Sequence, residues 1–140
     1  LSRCARTARL LGLDPTFDPR LVETDWGVWE GRTLTDLRSE LGDLMAAWEA
    51  RGLDFRAPEG ESPREVQDRL RPWLTETATR SHPTGAVAHK GVIRAIYALA
   101  TGWDMTDKPA HKLLDGCAHR FTLLPDGTPT IAELNIGLEI

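Results

Sequence analysis

The stretch from Ala86 to Arg94 constrains this chain more than any other part of its sequence. A short β-prone run, Ala86-Val87-Ala88, ends at His89, and a glycine and an apolar helical pattern follow. Such a strand-to-helix corner predicts that the His89 ring lies beside the free N–H groups of a helix N-terminus. An anion such as phosphate binds readily at that kind of position. The alternative is a histidine that only ends a strand and packs locally.

Hydrophobic periodicity and capping signals predict four helices and one hairpin. The predicted helices are residues 2–11, Thr33 or Thr35 to about Ala50, a helix opened by the capping box Ser62-Pro63-Arg64-Glu65, and about Val92 to Ala100. Two alternating segments, 120–124 and 130–134, flank Pro125-Asp126-Gly127 and predict a β-hairpin. Helices interleaved with short apolar strands indicate an α/β layered domain.

Two segments stand out from this regular pattern. Residues 14–32 are rich in Pro, Gly and Asp and predict a loop whose length is more typical of a functional segment than of a simple connection. Only three residues separate Gly85 from His89, whereas a strand usually has about 5–6 residues. The strand that leads to His89 is therefore predicted to be unusually short.

Composition excludes several classes of partner. The 140 residues fit one domain with a hydrophobic core. The net charge of −4, with basic residues neither in excess nor clustered, argues against a nucleic-acid partner. No apolar run approaches the ~20 residues that a membrane helix needs, so no membrane partner is predicted. Cys4 and Cys117 form no C-x-x-C pair, and two free thiols fit a reducing, cytoplasmic location.

The other three histidines give no indication of a metal centre. They are His82, His111 and His119. Their spacing offers no H-x-x-x-H pair and no carboxylate in metal-ligand register. We therefore predict neither a metal ion nor another cofactor.

Three further clusters accompany the His89 corner in a fixed order. They are Leu1-Ser2-Arg3-Cys4-Ala5-Arg6-Thr7-Ala8 (L-x-R-x-x-x-T-A), residues 21–31 (L-x-E-x-D-W-G-x-W-E-G) and Pro58-Glu59-Gly60-Glu61-Ser62, with Val66 and Arg69 at fixed offsets. In this order the clusters resemble the histidine phosphatase superfamily, also called phosphoglycerate mutase-like. The resemblance extends to Leu134-Asn135. It implies a three-layer α/β/α fold with a mostly parallel sheet, as a single histidine phosphatase domain over residues 1–140.

The sequence departs from the family pattern at two places. The family's Arg-His-Gly motif, which supplies a nucleophilic histidine at the end of the first strand, does not occur in residues 1–140. Family members carry it several dozen residues before the L-x-R segment, so we expect the motif and its strand to precede Leu1. Residues 1–140 alone are then expected to be inactive. Lys90 stands where the family usually has glycine and adds a positive charge at the rim of the pocket.

The resemblance assigns catalytic roles to three residues. Arg3 matches the phosphate-binding arginine, whose planar guanidinium can bind two phosphate oxygens. His89 matches the second histidine, which stabilises charge in the transition state, and we expect phosphate and nearby carboxylates to keep it cationic. Glu23 matches the residue that protonates the leaving oxygen and then deprotonates water. The other residues implied to bind phosphate or substrate are Lys90, Gly91 and Trp26.

Each of these assignments has a structural alternative. Arg3 taken alone would be a solvated arginine at a helix end. Glu23 would be a surface carboxylate in a mobile loop, and Trp26 would fill the core.

Three other charged residues are expected to be structural. Arg94 could reach phosphate from its helix, but an ion pair is the expected role. Glu61 and Arg69 are expected to serve the helix cap and its exposed face.

We predict metal-independent hydrolysis of a small phosphorylated metabolite through a phosphohistidine intermediate. The first alternative is a phosphoglycerate mutase, which returns the phosphoryl group to a substrate. The second is a non-catalytic phosphate-binding module, which residues 1–140 would be without the nucleophile. The short segment between Gly31 and Pro58 leaves little covering polypeptide and favours hydrolysis. Its arginines, Arg32, Arg38, Arg51 and Arg56, are diluted by Asp36, Glu40, Asp43, Glu49 and Asp54.

Overall fold

The computed structural model describes residues 1–139, which form five α-helices and one β-hairpin. The helices are α1 (Ser2–Leu10), α2 (Leu34–Leu41), α3 (Asp43–Glu49), α4 (Pro63–Ala78) and α5 (Lys90–Thr101), and the strands are β1 (Cys117–Leu123) and β2 (Pro129–Gly137). Three-residue 3₁₀ turns lie at Pro19–Leu21, Gly27–Trp29 and Gly52–Asp54. The chain is therefore a mixed α/β protein, as its sequence pattern predicts. Within residues 1–139, no helix combines the length and the apolar character needed to cross a membrane.

The single helix predicted from Thr33 to Ala50 is two helices. Thr33 caps α2 as expected, because its hydroxyl accepts a hydrogen bond from the backbone N–H of Asp36 at 3.1 Å. The chain then turns sharply at Gly42, where φ is +52° and ψ is −122°. A side chain at residue 42 would be strained in this conformation, so the glycine separates α2 from α3.

The sheet of residues 1–139 differs from the mostly parallel sheet that the resemblance implies. Its one strand pairing is antiparallel, between β1 and β2, and residues 82–89 form no strand. A strand needs a neighbouring backbone for its N–H and C=O groups, and residues 82–89 have no such neighbour in the described chain. Instead, an open groove of about 640 Å³ runs beside β1. We call it the β1 groove; its lining includes Trp73, Ala86, Ala88, Ile96, Phe121 and Leu123.

The main hydrophobic core joins α4 to α5. Its buried members are Val66, Leu70, Trp73, Leu74, Val92 and Ala95. Both halves of the capping box form at the start of α4: Glu65 N–H donates to the Ser62 hydroxyl at 3.1 Å, and the Glu65 carboxylate accepts from Ser62 N–H at 3.2 Å. Gln67 on α4 also donates to the carbonyl of Ala95 on α5, at 3.2 Å. These contacts fix the position of α5, whose first turn carries the candidate site.

A second hydrophobic cluster holds the segment from residue 26 to residue 57. Its buried members are Trp29, Leu37, Met45 and Ala57, surrounded by Trp26, Leu41, Trp48 and Phe55. The Trp29 and Trp48 rings meet edge to face with centroids 5.2 Å apart, a favourable aromatic geometry. Four aromatic side chains thus anchor the two short helices α2 and α3.

Candidate active site

His89 is the N-cap residue of α5 and is only 7% exposed. Its backbone is extended, with φ −125° and ψ 161°, and the helix begins at Lys90. Within the part of the chain that the structure describes, the His89 ring forms no capping hydrogen bond. Within residues 1–139 the N–H groups of Lys90 and Val92 in the first turn of α5 have no acceptor, so they remain available to an external one.

Helix α1 brings Arg3 and Cys4 against the His89 ring. Arg3 Nη2 lies 3.2 Å from His89 Nδ1, and Cys4 Sγ lies 3.4 Å from Nε2. A guanidinium can only donate, so Nδ1 accepts and carries no proton in this arrangement. Cys4 is a site residue that the sequence pattern did not predict. Its position directly after Arg3 in the first cluster could have indicated that it lies near the same site.

The pKa of His89 lies below its ordinary value of 6.5. Burial is the largest cause, the Glu23 carboxylate partly opposes it, and the Arg3 charge lowers the pKa again. His89 is therefore neutral at pH 7 when no anion is bound. The cationic ring was predicted with phosphate bound, so that expectation stays a prediction; in the free site, one nearby carboxylate does not outweigh burial.

Glu23 reaches the same corner from the loop that follows the first 3₁₀ turn. Its Oε1 accepts a hydrogen bond from Thr24 N–H at 2.8 Å, and its Oε2 accepts a long one from Gly91 N–H at 3.5 Å. Gly91 lies in the first turn of α5, where the helix dipole favours a negative group. The structure thus brings Arg3, Glu23 and His89 together, across gaps of 20 and 66 residues in the sequence.

Gly91 leaves the space that the Glu23 carboxylate occupies. A Cβ atom at residue 91 would collide with Glu23 Oε1 and with the Thr24 hydroxyl. A larger residue here would force the Glu23 carboxylate and the Thr24 hydroxyl to move, whereas the backbone conformation itself would accept one.

In the full-length protein, Gly91→Ala is expected to displace the Glu23 carboxylate and to lower kcat on an alkyl phosphate by about 10²-fold, the cost of a misplacement of about 1 Å. The matched control is Gly85→Ala, because a Cβ at Gly85 would meet only Leu13, at an ordinary 3.8 Å. Steady-state kinetics of both variants measure the difference. Equal, small losses in the two would show that the Glu23 position is not needed.

The sequence predicted that Glu61 and Arg69 serve the helix cap and its exposed face. Instead, the two side chains are largely buried and bind each other. Arg69 Nε donates to Glu61 Oε1 at 2.7 Å, and Arg69 Nη2 donates to the carbonyl of Val22 at 2.8 Å. Their side chains are 21% and 18% exposed. The pair lies beneath the Glu23 loop because the third cluster and α4 pack directly against that loop. The sequence feature that could have predicted this pair is the fixed spacing of Glu61 and Arg69 in the third cluster.

Trp26 and Lys90 lie at the edges of this arrangement. The Trp26 ring belongs to the second hydrophobic cluster, with its centroid 6.1 Å from that of Phe55. It is partly buried, which matches the core-filling alternative and leaves one part of the ring accessible. Lys90 is exposed, and its ammonium lies 3.5 Å from the carboxylate of Asp115.

Arg94 forms no ion pair within residues 1–139, so the ion pair expected for it is wrong. Its guanidinium carbon lies 5.1 Å from the centroid of the Trp103 ring, a cation–π contact. Trp103 follows the C-cap residue of α5, Gly102, and no charge pattern in the sequence predicts its contact with Arg94.

The remaining histidines lie away from the His89 corner. The Tyr97 hydroxyl accepts from His111 N–H at 3.2 Å, and His119 Nδ1 accepts from Asn135 N–H at 3.1 Å. His82 lines the β1 groove. Within residues 1–139, no three His, Cys, Asp or Glu side chains are grouped as metal ligands.

Comparison with protein families gives a match over nearly the whole chain. The family model described as "Histidine phosphatase superfamily (branch 1)" matches residues 1–137. A curated relative from Citrobacter koseri, "Probable phosphoglycerate mutase GpmB", is 39% identical over 74 residues, which cover 50% of this chain and 34% of that protein. The chain spans about half the length, or less, of the curated relatives it matches.

Solved structures with the same fold include two phosphatases. A mycobacterial glucosyl-3-phosphoglycerate phosphatase, in complex with inorganic phosphate, has a TM-score of 0.73 and is 22% identical, covering 95% of this chain and 70% of its own. The α-ribazole phosphatase from Shigella flexneri has a TM-score of 0.72 and is 25% identical, covering 100% of this chain and 73% of its own.

Proposed function

This chain belongs to the histidine phosphatase superfamily (branch 1), and from that premise we propose that the whole protein hydrolyses phosphomonoesters of small metabolites without a metal ion. The observation that carries the proposal is the meeting of Arg3, Glu23 and His89 at the N-terminus of α5. One phosphoryl group could touch all three within hydrogen-bond reach. The names of the phosphatases with the same fold support the reaction type.

Arg3, His89 and the first N–H groups of α5 would bind the transferring phosphoryl group. Arg3 is exposed, so its remaining guanidinium donors are free to bind two phosphate oxygens. A bound dianion favours the protonated form of His89, which would then donate to a third oxygen. These donors stabilise the charge on the equatorial oxygens in the transition state.

Glu23 would act as the general acid and then as the general base. When the phosphoryl group moves to the nucleophile, the leaving alkoxide needs a proton, which the Glu23 carboxyl group supplies. In the second half-reaction, the Glu23 carboxylate accepts a proton from the water that attacks the phosphohistidine. Each turnover therefore returns Glu23 to its starting protonation state.

We assign the nucleophile to a histidine outside residues 1–140, because His82, His111 and His119 lie away from the corner. The β1 groove supports this assignment. Its lining includes residues of segment 82–88, such as Ala86 and Ala88, and residues of β1, such as Phe121 and Leu123. A strand in this groove would pair with both segments and would end near His89. It would also supply the parallel part of a three-layer α/β/α sheet and leave residues 1–140 alone inactive.

The segment between Gly31 and Pro58 supports hydrolysis over phosphoryl return. It consists mainly of α2 and α3, and most of its cations are already paired. The pairs are Arg32 with Glu40, Arg38 with Glu49 at 2.8 Å, and Arg56 with Glu65 at 3.1 Å. A mutase must hold a bisphosphorylated intermediate away from water. This segment is short and most of its arginines are paired with carboxylates, so it favours access of water instead.

The test uses the full-length protein and 3-phosphoglycerate, with inorganic phosphate and 2-phosphoglycerate measured in parallel. Release of phosphate is expected to be faster than isomerisation. Faster isomerisation would show the mutase instead. If the full-length protein binds phosphate but turns over none of a panel of phosphomonoesters, it is a non-catalytic phosphate-binding module.

The two cysteines support a cytoplasmic location for this activity. Cys4 and Cys117 are free thiols, and both are partly buried. Free thiols persist in reducing compartments.

A further inference from the structure

The guanidinium of Arg69 binds the backbone of the Glu23 loop as well as Glu61. Its Nε and Nη2 donate to the two carboxylate oxygens of Glu61, at 2.7 and 3.2 Å. It also donates to three loop carbonyls: that of Arg20, that of Val22 at 2.8 Å and that of Glu23 at 3.4 Å. One side chain on α4 therefore holds the loop immediately before and at Glu23.

Glu61 holds the same loop immediately after Glu23. Its Oε2 accepts a hydrogen bond from Asp25 N–H at 3.2 Å, and its own N–H donates to the Asp25 carbonyl at 2.7 Å. A Cβ at the neighbouring Gly60 would lie 2.6 Å from that carbonyl, so the two backbones are in direct contact. Glu23 is thus enclosed between two anchored segments.

The side chains of the Arg69–Glu61 pair are less exposed than those of the Arg64–Asp54 pair, whose arginine also lies on α4. Arg64 on the same helix also pairs with a carboxylate, that of Asp54, at 2.7 Å, but these side chains are 52% and 62% exposed. Those of Arg69 and Glu61 are 21% and 18% exposed. An exposed pair contributes little to stability, whereas a largely buried guanidinium that donates from Nε, Nη1 and Nη2 to several acceptors fixes their geometry.

The helix that carries Arg69 is fixed relative to the helix that carries His89. Val66 and Leu70 of α4 pack against Val92 of α5 in the main core, and Gln67 donates to the Ala95 carbonyl. Because α4 and α5 are packed together, the hydrogen bonds of Arg69 hold the irregular Glu23 loop in a fixed position relative to both helices.

We propose that Arg69, held by Glu61, is a positioning residue that aims the Glu23 carboxylate at the leaving oxygen of the substrate. This inference rests on the proposed function, because it requires Glu23 to be the general acid. An acid must lie within hydrogen-bond reach of the atom it protonates. Arg69 touches no substrate in this scheme and acts only through the backbone of residues 20–23.

The experiment compares Arg69→Lys with Arg64→Lys in the full-length protein, on glycerol phosphate and on p-nitrophenyl phosphate. Lysine keeps the charge but loses the fork that binds several acceptors. Arg69→Lys is expected to lower kcat/KM, which reports the half-reaction in which the alcohol leaves, by about 10–100-fold on glycerol phosphate. On p-nitrophenyl phosphate, kcat/KM is expected to fall by less than about 3-fold, because nitrophenolate hardly needs a proton. Arg64→Lys is expected to change neither by more than about 2-fold. Equal losses on both substrates in Arg69→Lys would overturn the inference.

The double variant Glu23→Gln with Arg69→Lys tests whether both residues act on one proton. Its loss on glycerol phosphate is expected to match that of Glu23→Gln alone, since coupled residues are not additive. Additive losses would assign Arg69 a separate role and overturn the inference. If Glu23→Gln itself does not discriminate between the substrates, the proposed acid is wrong, and the inference fails with it.

If thermal unfolding shows that Arg69→Lys does not fold, Glu61→Gln tests the same inference. The amide keeps the shape of the side chain but removes the charge that holds the guanidinium. The same selective loss on glycerol phosphate is expected, with KM little changed. A loss that is equal on both substrates would contradict the positioning role.

Discussion

Replacing Glu23 with Gln in the full-length protein is expected to lower hydrolysis of an alkyl phosphate by about 10²–10⁴-fold, the usual contribution of a general acid. The loss on p-nitrophenyl phosphate is expected to be far smaller, because a nitrophenolate leaves without a proton. Glutamine keeps the size of the side chain, and its amide oxygen can still accept from Thr24 N–H or Gly91 N–H. The measurement is kcat/KM on both substrates.

The control for this prediction is Glu65→Gln, which changes a carboxylate that caps α4 away from the His89 corner. It is expected to affect both substrates alike and only weakly. Losses of the same size on both substrates in Glu23→Gln would show that Glu23 is not the acid.

His89→Ala is expected to lower hydrolysis of both substrates by a similar factor, about 10²–10³-fold, the usual effect of removing one donor to a developing charge. In the proposed mechanism the ring would stabilise charge on the phosphoryl oxygens, and this charge is the same whichever group leaves. The binding of inorganic phosphate, measured as competitive inhibition, is expected to weaken in the same variant.

His119→Ala is the matched control, since burial also lowers the pKa of this histidine and it lies on β1. Its removal is expected to reduce stability, through the lost hydrogen bond to Asn135 N–H, with no selective effect on phosphate binding. A loss in His89→Ala confined to the alkyl phosphate would instead assign proton transfer to His89.

Local signals in the sequence predicted much of this fold. The capping box at Ser62 and the apolar stripe after it define α4 because they act within one or two helical turns. The His89 corner was visible for the same reason: a β-prone run, a histidine and a glycine meet within a few residues. The turn at Gly127, with φ +92°, likewise matches its Pro-Asp-Gly signal.

Features that depend on distant parts of the chain were predicted less well. In the sequence, the partly buried Arg69–Glu61 pair looks like an ordinary charged helix face, because only the packing of the Glu23 loop covers it. The extended run before His89 looks like a strand, but it forms one only when another strand lies alongside. The pKa of His89 depends on burial, which no single residue type reports.

If the His89 corner releases phosphate as proposed, the lowered pKa of the free His89 ring would link that release to pH. Because burial lowers the pKa of the free ring while a phosphate dianion favours the charged ring, phosphate binding draws a proton from solvent. By the same linkage, inorganic phosphate binds less tightly as the pH rises above the pKa of the free ring. A turnover limited by product release would therefore accelerate in mildly alkaline solution. In the proposed enzyme, the burial that keeps water from His89 would thus also limit product inhibition.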